Sequence, residues 1–451
     1  MKLPLEKSMK NGSRKKDVLN ALVIGFALFA AFFGAGNLIF PPLLGVNSGR
    51  SWFPGFLAFL IADAGLAIAA VLAVVKKGGG LEDQMQMLWK IPSRVLCIVM
   101  ALIMGPLAVI PRTCATAYEM SIRPLLPGLN SWIFSLIFFG ITALLAIRPG
   151  KVVDIIGKFL TPVLLLALLV MCVKGIVSPL GPVAESVIPG QEVRTGLTFG
   201  YQTMDALLGV PLSVIVIKAV VDKGYEGRKN QAKMISISCL VALVGLAAVY
   251  AGLSYLGATV STLGLQGLSG TELMVEITRR LLQNAGTIML GGIVLLACLT
   301  TAVGVTSAIA DYFVGLLKNK IPYWAMVLAF CVLGILLGNL GTSQIIALAG
   351  PVLSLLYPVF LTQIFMNLIL GKVENPWVYR GAAIGGFLFA LVDLIYSYGV
   401  SALQFIEWVP FWNLGLGWVL PAIAGALIGA FCGHKKKADV LPALPDGQPS
   451  S

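Results

Sequence analysis

Long apolar runs, separated by short polar and positively charged segments, dominate the pattern of this chain. Twelve runs are present: 18–44, 52–75, 95–120, 132–147, 155–173, 196–220, 232–257, 286–317, 323–340, 345–371, 380–398 and 411–433. Most have the ~20 residues a helix needs to cross the hydrocarbon core of a bilayer. In lipid only helices and closed barrels satisfy every backbone group. The pattern predicts an all-α polytopic membrane protein with twelve transmembrane helices. A polar arm, 1–17, precedes the first run. That run exceeds the h-region of a cleavable signal, so it is expected to stay as a span. The tail 434–451 is poor in apolar residues and holds Pro442, Pro445 and Pro449, so disorder is expected there.

Charge placement gives the orientation. With the N-terminus inside, 25 of the 32 Lys and Arg residues fall in cytosolic segments and 6 in outer ones, with Arg112 inside a span. Cytosolic loops carry the excess of Lys and Arg, so both termini are expected to be cytosolic. Composition agrees: 58% of residues are hydrophobic, 12% are charged, and the mean hydropathy is +0.92. The net charge of +12 comes from these loop clusters, and no basic face with interleaved aromatics suggests nucleic acid. The seven Cys residues lie in or beside apolar runs without a Cys-x-x-Cys pair, and the lone histidine, His434, excludes a histidine metal cluster. Nucleophile-elbow, zincin and P-loop patterns are missing, which argues against an enzyme or an ATP-driven pump.

The first run contains a second kind of signal. Phe29–Leu44 reads FAAFFGAGNLIFPPLL, with Gly34, Gly36, Asn37 and the pair Pro41-Pro42 at mid-span. Gly and Pro interrupt helices, and an interrupted span marks a binding site in transporters. The first half-helix would end with free carbonyls, those of Ala30 and Phe33, which suit a small cation. The second would begin with free N–H groups over Gly34, Ala35 and Gly36, which suit a carboxylate. Asn37 would add an amide oxygen beside that carboxylate. The plainer alternative is a glycine packing notch, with Pro41-Pro42 only ending the helix.

Run 196–220 carries a matching interruption at Gly200, Tyr201, Gln202, Thr203, Met204 and Asp205. Five spans separate the two breaks, and an odd offset implies an inverted repeat. This span would enter from outside, so carbonyls end its first half and suit an ammonium group. Tyr201 and Thr203 add hydroxyls, and Asp205 either caps the second half-helix, holds a cation or receives the amine. Opposed half-helices of this kind suit a zwitterion. In run 286–317, Ala297, Thr300 and Thr301 share one helix face and could complete an oxygen cage for a hard cation. Otherwise the threonines bond their own helix. Asp63, Arg112, Glu119, Asp311 and Asp393 are further charges within or near spans, either paired structurally or functional.

Three stretches, FFGAGNLIFPPLLG at 32–45, GYQTMDAL at 200–207 and LTTAVGVTSAIADYF at 299–313, resemble the branched-chain amino acid transport system II carriers, bacterial leucine/isoleucine/valine:cation symporters. The resemblance implies the leucine-transporter fold: a five-plus-five inverted repeat with helices 1 and 6 broken, and two peripheral helices. The repeats would be 18–175 and 176–371, and the peripheral pair 372–433. It implies Na⁺-coupled import of Leu, Ile and Val by alternating access across the bacterial cytoplasmic membrane. Its sodium pattern places ligands at the carbonyls of Ala30, Phe33 and Ala297 and the hydroxyls of Thr300 and Thr301. Asn37 matches a position that serves a second sodium in some relatives. The substrate would lie at Gly34, Ala35, Gly36, Asn37, Gly200, Tyr201, Thr203 and Asp205. Membrane lipid is the expected surrounding; no organic cofactor, nucleic acid or obligatory protein partner is expected. An H⁺-coupled carrier of another neutral amino acid, or a passive channel, are the competing readings.

Overall fold

The computed structural model describes residues 4–147, 151–370 and 375–432. The tail, His434, Arg148 and Lys372 lie outside them. Every described apolar run is helical, and no strand occurs among the described residues. In chain order the helices are α1 (Pro4–Phe32), α2 (Ala35–Ser48), α3 (Trp52–Leu60), α4 (Leu66–Lys77), α5 (Leu81–Gln84), α6 (Lys90–Leu102), α7 (Val109–Ala117), α8 (Ser131–Ile147) and α9 (Lys151–Val177). They continue as α10 (Glu192–Thr203), α11 (Asp205–Asp222), α12 (Arg228–Thr259), α13 (Gly270–Leu316), α14 (Tyr323–Gly338), α15 (Thr342–Ile369), α16 (Pro376–Ser397) and α17 (Val419–Cys432). Six helical stretches are long and apolar enough to span a membrane, and the α10–α11 pair, bent by 43°, makes a seventh. Four shorter apolar helices accompany them.

Both expected breaks are present, each narrower than the stretch expected to hold it. The first falls at Phe33 and Gly34, so Ala35, Gly36 and Asn37 form the opening turn of α2. Pro41 and Pro42 do not interrupt the chain: they lie inside α2, which runs on to Ser48. The second break is Met204 alone, in a left-handed conformation (φ 70°, ψ 11°), and Gly200 remains helical. A single left-handed residue suffices to redirect a helix.

Other spans bend without a full break. Between α3 and α4, residues 61–65 form a π-turn that contains Asp63. Between α6 and α7 the helix kinks at Gly105 (φ −98°, ψ −118°), next to Pro106. The extra residue of a π-turn re-aims the side chains that follow, and such turns concentrate at functional sites. Helix α13 is bent sharply at Gln283 (φ 57°, ψ −154°). Its first part, before the bend, is started by a capping box in which Ser269 Oγ accepts the Glu272 N–H at 3.3 Å.

Small residues let these helices approach closely. A Cβ on Gly257 of α12 would overlap the Pro42 carbonyl of α2, and one on Gly45 would overlap the Ser254 carbonyl. Helix α12 therefore clamps α2, while α1 packs along α12's other part. Helices α16 and α17 are each other's main neighbours, meeting at Gly381, Gly385, Gly425 and Gly429.

Candidate functional site

The two breaks meet. A Cβ on Gly36 would stand 3.3 Å from the Thr203 Cα and 3.4 Å from Arg112 Nη2. Asn37, 1% exposed, is the joint. Its Oδ1 accepts the Gly34 N–H at 3.0 Å, so the side-chain oxygen caps the broken helix. The amide oxygen expected beside the substrate carboxylate is thus spent on the backbone of the break. Its Nδ2 points the other way. Three oxygens surround it: Asp63 Oδ2 at 3.1 Å, Asp205 Oδ2 at 2.9 Å and Tyr250 Oη at 2.5 Å.

Hydrogen supply is short here. An amide nitrogen carries two hydrogens and a hydroxyl one. Asn37 Nδ2 can therefore serve only two of the three oxygens, and the Tyr250 hydroxyl brings one hydrogen of its own. Thr203 Oγ1 lies 2.7 Å from Asp63 Oδ1 and 2.6 Å from the Gly200 carbonyl, with one hydrogen for both. Asp63 is fully buried and Asp205 is 3% exposed. Two carboxylates this deep repel unless a cation or a proton offsets them.

Arg112, from α7, supplies one positive charge. Its Nη1 donates to the Gln202 carbonyl at 2.6 Å and its Nη2 to the Thr203 carbonyl at 2.9 Å. These are the end carbonyls of α10, which the sequence reading assigns to a substrate ammonium. Here a guanidinium occupies them. Its Nε is buried without a partner. A buried donor left unpaired costs ~1–3 kcal/mol, and this one lies near the opening turn of α2, whose N–H groups suit an anion.

Sequence reasoning thus finds Asn37, Thr203 and Asp205 in one cluster. Gly200 belongs to its wall: a Cβ there would come 3.0 Å from the Asp63 nitrogen. Tyr201 stacks on Tyr357, with ring centres 4.8 Å apart. Arg112 and Asp63 are the members whose roles the sequence left open; the kinks before them decide where they point. Tyr250 carried no signal beyond being a tyrosine in an apolar run. Glu119 is structural, accepting the Thr342 N–H at 2.9 Å and the Thr271 hydroxyl at 2.7 Å. Asp311 is exposed.

The expected sodium ligands fall in two sets. Ala30 lies in the last turn of α1 and Phe33 in the break just after it; α1 packs mainly on α12. Ala297, Thr300 and Thr301 lie on α13, where Thr300 Oγ1 donates to the Ala297 carbonyl at 2.9 Å. Among the described residues no hydrogen bond joins the two sets.

Comparison with known proteins adds a family. The sequence profile of the family described as branched-chain amino acid transport protein matches residues 17–436. The branched-chain amino acid permease BraB of Bacillus subtilis (strain 168) is 36% identical over 433 residues, which cover 91% of this chain and 95% of that relative. Mhp1 in its inward facing conformation superposes with a TM-score of 0.61 at 15% identity, covering 92% of this chain and 91% of Mhp1. A substrate-bound, outward-open Na⁺-coupled sialic acid symporter gives 0.59 at 13% identity, with 92% and 91% covered. At these identities the likeness to the two structures is one of fold.

Proposed function

Because this chain belongs to the branched-chain amino acid transport protein family, a family of membrane transporters and not enzymes, we propose that it is a secondary active symporter. It imports Leu, Ile and Val with an inward cation gradient, by alternating access around the junction of the α1–α2 and α10–α11 breaks. Twelve spans form it: an inverted repeat over 18–175 and 176–371, then α16 and α17, with both termini cytosolic.

The observation that carries this reading is the Asn37 cluster, which ties both breaks to two buried carboxylates. Opening the pathway to either side must move at least one break, so cluster and pathway are coupled. The substrate carboxylate lies at the opening turn of α2, over Ala35 and Gly36, since Asn37 Oδ1 already holds the Gly34 N–H, and Arg112 Nε is a further unpaired donor. The ammonium group lies toward Asp205, since Arg112 holds the carbonyls ending α10. The aliphatic chain is taken by buried Ile110, Leu207 and Val303. Discrimination among the three substrates is then modest, about 1–3 kcal/mol per methylene.

Two cargo cations fit. For Na⁺, the carbonyls of Ala30, Phe33 and Ala297 and the hydroxyls of Thr300 and Thr301 close around the ion in the ion-bound conformation; oxygen ligands suit a hard cation. The sialic acid symporter of like fold supports Na⁺. For H⁺, the hydrogen-poor pair Asp63 and Asp205 is the acceptor. Purified protein in vesicles should accumulate labelled leucine above the outside level when Na⁺ is high outside at equal pH. Accumulation only with an acid outside would select the proton. Leucine that merely equilibrates under both gradients would overturn the symporter and favour a passive path.

A further inference from the structure

The central cluster leaves a second group of charges unexplained. Arg194 of α10, Asp393 of α16 and Trp412, in the segment linking α16 to α17, meet at one end of the bundle. Trp412 Nε1 donates to Asp393 Oδ1 at 2.7 Å. The Arg194 guanidinium covers the Trp412 ring, 4.4 Å from its centre. Arg194 Nη2 stands 3.9 Å from Asp393 Oδ1, with the two side chains 32% and 34% exposed. This ion pair is loose, and a partly solvated pair at that distance contributes little to stability.

The same three residues line two cavities. The larger, about 460 Å³, also has Gln191, Tyr396 and Asn413 in its walls. The smaller, about 110 Å³, runs from the three residues to Tyr201, Gln202 and Tyr357. Gln202 carries the carbonyl that Arg112 binds. Tyr357 is 1% exposed and its hydroxyl has no partner. Arg194, Asp393 and Trp412 thus form a partition between an open cavity and a narrow one that ends beside the central site.

We propose that this partition is a first docking station for the amino acid, on the outer side of the membrane, and that docking opens it. The inference rests on the transport reading above. An α-amino acid carries opposite charges on one carbon. Its carboxylate replaces Asp393 at Arg194, and its ammonium replaces Arg194 at Asp393. Each charge keeps a partner, so the exchange costs little, and a neutral or singly charged solute cannot make it. Trp412, released from both neighbours, uncovers the narrow cavity. The segment 399–418 is then part of the transport path, although α16 and α17 themselves are peripheral.

The test is a thiol-protection experiment on full-length protein in vesicles. Asn413→Cys places a reactive thiol in the wall of the larger cavity; the native Cys97, Cys114, Cys172, Cys239, Cys298 and Cys331 are buried, and Cys432→Ser removes the seventh. In an Asp205→Asn background, which disables the central site, saturating leucine should slow labelling of that thiol by a charged, membrane-impermeant reagent at least threefold. Leucinamide, which lacks the carboxylate, should not. Adding Arg194→Gln should abolish protection. In the otherwise unmodified chain, Arg194→Gln and Asp393→Asn should each raise the KM for leucine uptake at least fivefold. This second measurement stands even if the Asp205→Asn protein fails to fold. Unaltered KM values, or protection that survives Arg194→Gln, would overturn the station. Loss of leucine uptake by the unmodified chain would instead overturn the transport reading.

Discussion

Replacing Arg112 with Gln distinguishes two ways of reading the α10 break. Arg112 is 4% exposed and makes two hydrogen bonds to the end carbonyls of α10, at 2.6 and 2.9 Å. Charge-assisted bonds contribute about 1.5–3 kcal/mol each. Gln can restore one of them as a neutral bond, and the buried carboxylates Asp63 and Asp205 lose their nearest described cation. Removing one partner from a buried charge network costs about 3–5 kcal/mol. If about 3 kcal/mol of that falls on substrate binding, kcat/KM for leucine drops about 10²-fold. Arg112→Lys keeps the charge but not the fork geometry, and should lose about tenfold. The assay is initial leucine uptake into proteoliposomes, with each variant first shown to be monodisperse in detergent. Were the α10 carbonyls a substrate ammonium site that Arg112 merely blocks, Arg112→Gln would free them and leucine would bind more tightly. Equal or improved kcat/KM would refute the assignment of Arg112.

Asp63→Asn removes one of two clustered carboxylates at nearly constant shape. The cation concentration for half-maximal uptake should rise about tenfold, the effect of ~1.4 kcal/mol, and an unchanged cation dependence would place coupling elsewhere. Thr300→Ala combined with Thr301→Ala should weaken Na⁺ activation about tenfold or more, with each lost ligand removing on the order of 1 kcal/mol, while the yield of folded protein holds; identical Na⁺ activation would rule out that site. Gly257→Val forces a side chain into the Pro42 carbonyl, whereas Gly292 has nothing within 4 Å of its added Cβ. Overpacking costs about 1–3 kcal/mol or more, so Gly257→Val should lower the monodisperse yield and Gly292→Ala should not.

Helix positions and both breaks were legible because length, hydropathy and glycine placement encode them directly. Asn37, Thr203 and Asp205 followed from sitting at those breaks. What was not legible depended on local bends. Arg112 reaches the α10 carbonyls because the kink at Gly105 re-aims α7, and Asp63 joins the cluster from a π-turn. The Gly105-Pro106 pair is a breaker signal that the span's apolar run masks, and the π-turn at 61–65 has no such signature. Pro41 and Pro42 were read as interrupting a helix that in fact continues through them; proline is tolerated in a membrane helix when neighbours satisfy the freed carbonyls, and tertiary packing decides that. The cap that Asn37 makes on Gly34 depends on the break lying at Phe33 and Gly34, which glycine placement alone does not fix. The cavity beside the end of α16 involves Trp412 and Arg194, which lie 218 positions apart in the chain, a distance no local pattern spans.

Coupling itself is tested most directly by letting the leucine gradient drive the cation. Vesicles are prepared with equal Na⁺ and equal pH on both sides and the membrane potential held at zero, and leucine is added outside. Entry of leucine down its gradient should draw in labelled Na⁺, or acidify the lumen if the proton is the cargo, in fixed proportion to the leucine taken up. Asp205→Asn should abolish that cation flux. Leucine that enters the unmodified protein's vesicles while neither cation moves would contradict a symporter built on the Asn37 junction.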